Sequence, residues 1–169
     1  VDCASILFGR RSIFIGFTVW LPLMLALVIG CSTTGAVRQE YETTLRCDDC
    51  PALPVERVID GDTLDTGAGR VRLFGVDTPE RGEQCFNRAT RALQELAGGT
   101  VRVEVGPRLR DPNGRLLYYV YTEAGNSVDE TLILEGLALA WTRDGQHRNF
   151  LYELEAGARA AGTGCLWQR

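Results

Sequence analysis

Two short segments of β-type sequence, 55–59 and 70–76, flank the turn Gly67-Ala68-Gly69, and the densest acidic motifs of the chain lie at their ends. Both read as strands joined around that turn. In the second segment Val71, Leu73 and Gly75 point one way and Arg72, Phe74 and Val76 the other. A helix is predicted over 83–97, where Phe86, Ala89, Leu93 and Leu96 recur every three or four residues before Gly98-Gly99. Val101, Val103 and Val105 alternate with Arg102 and Glu104 as a strand, and 116–122 forms another after an Asp-Pro-Asn-Gly turn. Ser127 and Glu130 have the spacing of a capping box, opening a short helix through Leu134 that Gly136 ends. A last helix covers 148–161. Short strands with few helices predict a mainly β, α+β fold: a five-stranded closed barrel of the OB type, whose strand face and loops bind oligonucleotides.

The chemistry is concentrated in Ile59-Asp60-Gly61-Asp62-Thr63 and Val71-Arg72-Leu73-Phe74-Gly75-Val76-Asp77-Thr78-Pro79-Glu80, joined by the basic turn Asp111-Pro112-Asn113-Gly114-Arg115. Hard carboxylate oxygens suit Ca²⁺ or Mg²⁺, and guanidinium forks suit phosphate. A carboxylate not used on metal can position or deprotonate water. This inventory describes metal-assisted phosphodiester hydrolysis. His147 is the only histidine and, outside the first 30 residues, serine occurs only at Ser32 and Ser127, which argues against a Ser-His-Asp triad.

The front of the chain carries an export signal: Arg10-Arg11, an apolar run over 13–29, then Gly30-Cys31-Ser32. Cys31 after Gly30 resembles a bacterial lipoprotein cleavage box and would be lipidated; the other readings are an uncleaved membrane anchor and a plain cleaved signal. Residues 1–30 are thus expected to be a signal or anchor, 31–53 a polar acidic tether, and 54–169 one globular domain. In an oxidising compartment Cys47, Cys50, Cys85 and Cys165 would form two disulfides, with three connectivities possible. Cys85–Cys165 with Cys47–Cys50 is the pairing that would tie a helix start to the chain end and close a local loop. A net charge of −4 excludes a general electrostatic attraction to nucleic acid, and every basic side chain apart from His147 is an arginine. Phosphate recognition then falls to a few placed guanidinium groups.

From about Val55 to Trp167 these motifs, with Leu134-Glu135-Gly136-Leu137-Ala138 and the final Leu166-Trp167, resemble the staphylococcal nuclease family. The resemblance implies an OB-like barrel with three helices and Ca²⁺-dependent cleavage of DNA and RNA to 3′-phosphate products. It assigns Asp62, Asp77 and the Thr78 backbone carbonyl to the metal. Glu80 would orient or deprotonate the attacking water, and Arg72 and Arg115 would grip the scissile phosphate. Trp141 lies near where the family carries a base-stacking tyrosine. The expected partners are DNA and RNA as substrates and a membrane, reached through lipid on Cys31 or an N-terminal helix, with the nuclease domain monomeric and outside the cytoplasm. The alternative is an idle nuclease-like barrel that binds nucleic acid or a protein. Against the family pattern, the loop after Glu80 is trimmed and the residues before the glycine of the arginine turn are Pro112 and Asn113.

Overall fold

The computed structural model describes residues 42–168; residues 1–30, read as a signal or anchor, and Cys31 lie outside them. The chain runs β1 (Ala52–Val58), β2 (Thr63–Thr66), β3 (Gly69–Leu73), β4 (Val76–Asp77), α1 (Phe86–Ala97), β5 (Thr100–Arg110), β6 (Leu116–Thr122), α2 (Val128–Leu134), β7 (Leu139–Ala140), α3 (Arg148–Ala161) and α4 (Gly164–Trp167). Five strands close a barrel in the order β1-β2-β3-β6-β5, with β3 and β6 parallel and the other pairs antiparallel. The five-stranded α+β barrel expected from the sequence is therefore present. Its interior is filled by Leu64, Val71, Leu73, Val101 and Val120, while Leu93, Leu132 and Leu151 bring the helices onto the same core.

Three local differences from expectation have clear causes. The segment 63–66 is a strand of its own, too short and polar (Thr-Leu-Asp-Thr) to carry a periodic signal. β3 stops at Leu73, so Phe74 and Val76 do not continue its outward face and are instead buried. The chain bends at Gly75, where an added Cβ would lie 2.6 Å from Leu151 Cδ1 and 2.8 Å from Asp129 Oδ1. Helix α1 begins at Phe86, three residues later than the periodicity suggests, after Cys85 adopts a left-handed φ of 76°. Beyond the three expected helices, Gly164–Trp167 makes one more turn.

The capping box of α2 is half made. Ser127 Oγ accepts from Glu130 N at 3.2 Å, yet the Glu130 carboxylate does not return to Ser127. It accepts instead from Thr44 N (2.9 Å) and Leu45 N (2.8 Å), while Ser127 N donates to Thr43 Oγ1 at 2.9 Å. Part of the stretch read as tether is thus hydrogen-bonded to the start of α2, and β1 begins at Ala52, paired with Arg102 of β5. Both disulfides of the proposed pairing occur, Cys47–Cys50 and Cys85–Cys165, with Cα–Cα distances of 5.4 and 5.7 Å.

Asp129 joins the layers. Fully buried in the first turn of α2, its carboxylate accepts from Gly75 N at 2.8 Å and Val120 N at 3.1 Å. Burial pushes this carboxyl up to about 6 despite those bonds. A raised folded-state value means that its contribution is greatest when protonated and is lost as pH rises through about 6. Between pH 7 and pH 4.5 the wild-type chain should therefore gain about 2 kcal/mol relative to Asp129→Asn, read by urea unfolding at both pH values. Cys85→Ser, opening a loop with a sequence separation of 80, should lower unfolding free energy by about 4 kcal/mol in the same assay.

Candidate active site

The register of β2 against β3 builds the acidic half of the site. Thr63 pairs with Arg72, and Leu73 N donates to Asp62 O at 2.8 Å, so Asp62 lies beside the arginine from the first strand turn onward. Arg72 Nη1 is 2.6 Å from Asp62 Oδ2 and also donates to Val76 O at 3.1 Å. Its Nη2 donates to Asp77 Oδ1 at 2.6 Å. Asp62 Oδ2 further accepts from Thr78 N (3.0 Å) and Thr78 Oγ1 (2.9 Å), and its Oδ1 from Thr63 Oγ1 at 3.0 Å. Asp60 accepts from Asp62 N at 3.2 Å, the turn role its position suggests.

Burial distinguishes the two carboxylates. Asp62 is 6 % exposed, whereas the Asp77 side chain is 53 % exposed. Burial raises the Asp62 carboxyl, opposed first by the charge of Arg72 and then by the Thr78 N–H. A carboxylate that is costly to ionise and already beside one cation gains from a second positive charge. The donors are all hard oxygens: two carboxylates meeting at one guanidinium, and the adjacent Thr78 backbone. That chemistry fits Ca²⁺, whose shell water and substrate would have to complete. Among the described residues no group of three or more His, Cys, Asp or Glu gathers as a metal cluster.

Glycine is required where these elements meet. A Cβ on Gly61 would stand 2.6 Å from Thr78 Oγ1 and 2.8 Å from Ala89 Cβ.

Arg115 reaches the site from the opposite side. The turn before β6 is closed by Asp111, whose Oδ1 accepts from Asn113 N and Arg115 N, each at 2.9 Å. Asp111 Oδ2 accepts from Arg115 Nε at 2.6 Å. Burial works against ionisation of Asp111, but these bonds from Arg115 outweigh it and hold the carboxyl below its usual range. Because β3 and β6 run parallel with Arg72 opposite Leu117, Arg72 and Arg115 line one cavity of about 520 Å³. A cavity of this size accommodates a nucleotide-sized ligand.

Glu80 is not on that cavity wall. It is exposed after Thr78-Pro79, its N–H bound to Glu83 Oε2 at 2.8 Å, and among the described residues its carboxylate has no hydrogen-bond or ion-pair partner. The geometry therefore joins Asp62, Asp77, Thr78 and Arg72 by direct contact and joins Arg72 to Arg115 through the cavity. Glu80 connects to them through the chain alone.

Other candidates resolve as packing. His147 stands before α3 with Nε2 3.0 Å from Glu104 Oε2 and its ring 4.6 Å from that of Tyr119. Tyr119 and Tyr121 are core residues. Glu104 accepts from Tyr121, Gln146 and His147. Sequence reasoning missed Arg108, Arg143 and Asp144, which also line the cavity. The only signal was Thr142-Arg143-Asp144-Gly145 directly after Trp141, a turn-like string that singles out no role.

Comparison with known proteins decides the family. Residues 70–169 match the family described as staphylococcal nuclease homologue. The chain belongs to the staphylococcal nuclease family. It is 36 % identical over 129 residues to a micrococcal nuclease of Shigella flexneri, covering 67 % of this chain and 71 % of that protein. Endonuclease YncB of Bacillus subtilis is 41 % identical over 97 residues, half of this chain and 45 % of its own length. The thermonuclease of Staphylococcus intermedius is 38 % identical over 97 residues, covering 51 % of this chain and 57 % of its own. For the last two the match spans only about half of the relative. As a member of this family the chain is a nuclease, and Ca²⁺ dependence is general in the family.

Gly61→Ala should displace Thr78 from Asp62 and destabilise the fold by about 1–3 kcal/mol, with a matching fall in nuclease activity. Gly99→Ala, where an added Cβ meets nothing within 4 Å, is the control expected to stay within about 0.5 kcal/mol of wild type. Thermal unfolding of the two variants side by side makes the comparison.

Proposed function

We propose that the chain is a Ca²⁺-dependent phosphodiesterase that hydrolyses DNA, RNA or both to 3′-phosphate products, exported and held at a membrane. The observation that carries this reading is that Arg72, bound to both Asp62 and Asp77, shares a cavity with Arg115. Two guanidinium groups converging on one space suit a phosphate that gains charge as it is attacked.

Asp62, Asp77 and the Thr78 carbonyl are the donors for Ca²⁺, which when bound supplies positive charge against the phosphoryl oxygens. The residues then divide the remaining work. Arg72 and Arg115 hold the scissile phosphate and stabilise its five-coordinate transition state, each contributing about 3–4 kcal/mol by analogy with oxyanion donors. Asp111 fixes the Arg115 fork by accepting its Nε–H, leaving the terminal nitrogens for phosphate. Glu80, whose carboxylate has no partner among the described residues, takes the proton of the attacking water as oxygen bonds to phosphorus and the 5′ oxygen leaves.

Export is supported by the two disulfides of the domain, since such bonds persist in oxidising compartments. Lipid on Cys31 would provide the tether, and residues 1–30 the signal.

The test uses the full-length chain with disulfides intact, single-stranded DNA and RNA, and Ca²⁺ or a chelator. Cleavage should require Ca²⁺ and leave 3′-phosphate ends. Glu80→Gln should lower kcat by about 10²–10⁴-fold. Arg72→Gln and Arg115→Gln should each lower kcat by about 10²–10³-fold. A folded wild-type chain that cuts neither polymer with Ca²⁺ present would sink this reading.

A further inference from the structure

Four arginines line the cavity: Arg72, Arg108, Arg115 and Arg143. Three of them are tied to carboxylates. Arg72 holds Asp62 and Asp77, and Arg115 holds Asp111. Arg108 grips Asp144 through both Nε (2.5 Å) and Nη2 (3.2 Å). Among the described residues Arg143 has no carboxylate partner; its guanidinium carbon lies 5.0 Å from the centre of the Trp141 ring.

Trp141 is itself firmly fixed. Its backbone N donates to Gly75 O at 2.8 Å, directly after the pairing of β4 with β7. Its indole Nε1 donates to Asp144 Oδ1 at 2.7 Å. The Asp144 carboxyl is held below its usual range, chiefly by the bond from Arg108. Arg108, Asp144, Trp141 and Arg143 thus form a line of contacts ending in one guanidinium whose N–H edge is unclaimed among the described residues. Since Arg143 covers one face of Trp141, that face is a pedestal for a cation rather than an open plate for a base.

We propose that Arg143 is an anion subsite, taking a phosphate that flanks the one being cleaved. The proposal rests on the nuclease reading of the cavity and extends it to substrate choice. A guanidinium stacked on an aromatic ring retains the planar fork that matches phosphate. Stacking also restricts the side chain before ligand arrives, lowering the entropy lost on binding. The charge balance points the same way. Two lining carboxylates, Asp111 and Asp144, offset Arg115 and Arg108, and Arg72 pairs with Asp62 and Asp77 beside the scissile phosphate. Arg143 is the cavity arginine left to attract a further anion. On a protein of net charge −4, one such group has a disproportionate effect on how a polyanion is held. The expected consequence is a preference for oligonucleotides over substrates with a single phosphodiester.

The test compares the full chain carrying Glu80→Gln, which suppresses cleavage, with the same chain carrying Arg143→Ala or Arg143→Lys. Binding of a fluorescein-labelled single-stranded DNA of about eight nucleotides is followed by anisotropy across a salt series. Arg143→Ala should weaken binding about tenfold and reduce the slope of log affinity against log salt by about 0.7, the value for one phosphate contact on a single strand. Arg143→Lys should restore the slope, because the charge returns, but recover only part of the affinity. On the otherwise wild-type chain, Arg143→Ala should lower the ratio of kcat/KM for the oligonucleotide to that for a dinucleoside monophosphate by about tenfold. Oligonucleotides with and without terminal phosphates separate the two sources of the anion: an effect in both indicates a flanking phosphate, and an effect confined to the phosphorylated ones replaces it with a chain end. An unchanged slope and ratio in Arg143→Ala overturn the proposal even if cleavage is normal. Conversely, an altered slope in a chain that never cleaves would leave the anion subsite standing and reject the nuclease reading alone.

Discussion

The pairing of β2 with β3 is the constraint on which the rest of the site depends. Opposite Thr63 stands Arg72, and the alternation of the strand sends Val71 and Leu73 into the barrel while Arg72 faces away from it. A slip of one residue would carry the guanidinium into the core and turn Val71 and Leu73 out, so burial of those two side chains enforces the register. The ion pair to Asp62 follows from this register, and that to Asp77 from where the chain next goes. Asp62 is placed beside Arg72 by the register itself, but Asp77 could not meet Arg72 if β3 continued past Leu73. The bend at Gly75, held by Asp129, is what brings Val76 and Asp77 back toward it.

Much of the site is built from compensation. Arg72, Arg108 and Arg115 are each accompanied by a carboxylate that both neutralises and aims them. Such pairs contribute little net stability at a surface, because desolvation and side-chain ordering offset the attraction. Their value lies in geometry: a fork already held in place loses less freedom when phosphate arrives. The same logic explains how a chain with more acids than bases can carry a phosphate site. Positive potential is local and directional, while the molecule as a whole repels a polyanion.

The barrel, its principal strands and its long helices were legible in the sequence because each has a periodic apolar pattern and a glycine or turn string at its boundary. The two-residue strands β4 and β7 and the four-residue β2 were not, since pairing rather than propensity creates elements so short. Ser127 and Glu130 were legible as a cap, but the destination of the Glu130 carboxylate depended on residues 44 and 45, more than eighty positions away. For the site, motif order located Asp62, Asp77, Thr78, Arg72 and Arg115, and four of these meet in direct contact. The role proposed for Glu80 rests on resemblance, as an exposed glutamate has no local mark of a base. Arg108 and Arg143 were hidden for a related reason: in a chain rich in arginine, nothing but tertiary position tells a cavity residue from a solvated one.

The bond between Cys85 and Cys165 encloses every element from α1 to α3 in one covalent ring, leaving β1 to β4 as a branch. Arg115 belongs to the ring, whereas Asp62, Arg72, Asp77 and Glu80 belong to the branch. A single cut in the backbone anywhere within the ring would therefore leave one molecule, with both halves of the site still joined at Cys85. Wherever a protease reaches an exposed loop of that ring, the two fragments stay covalently joined instead of separating.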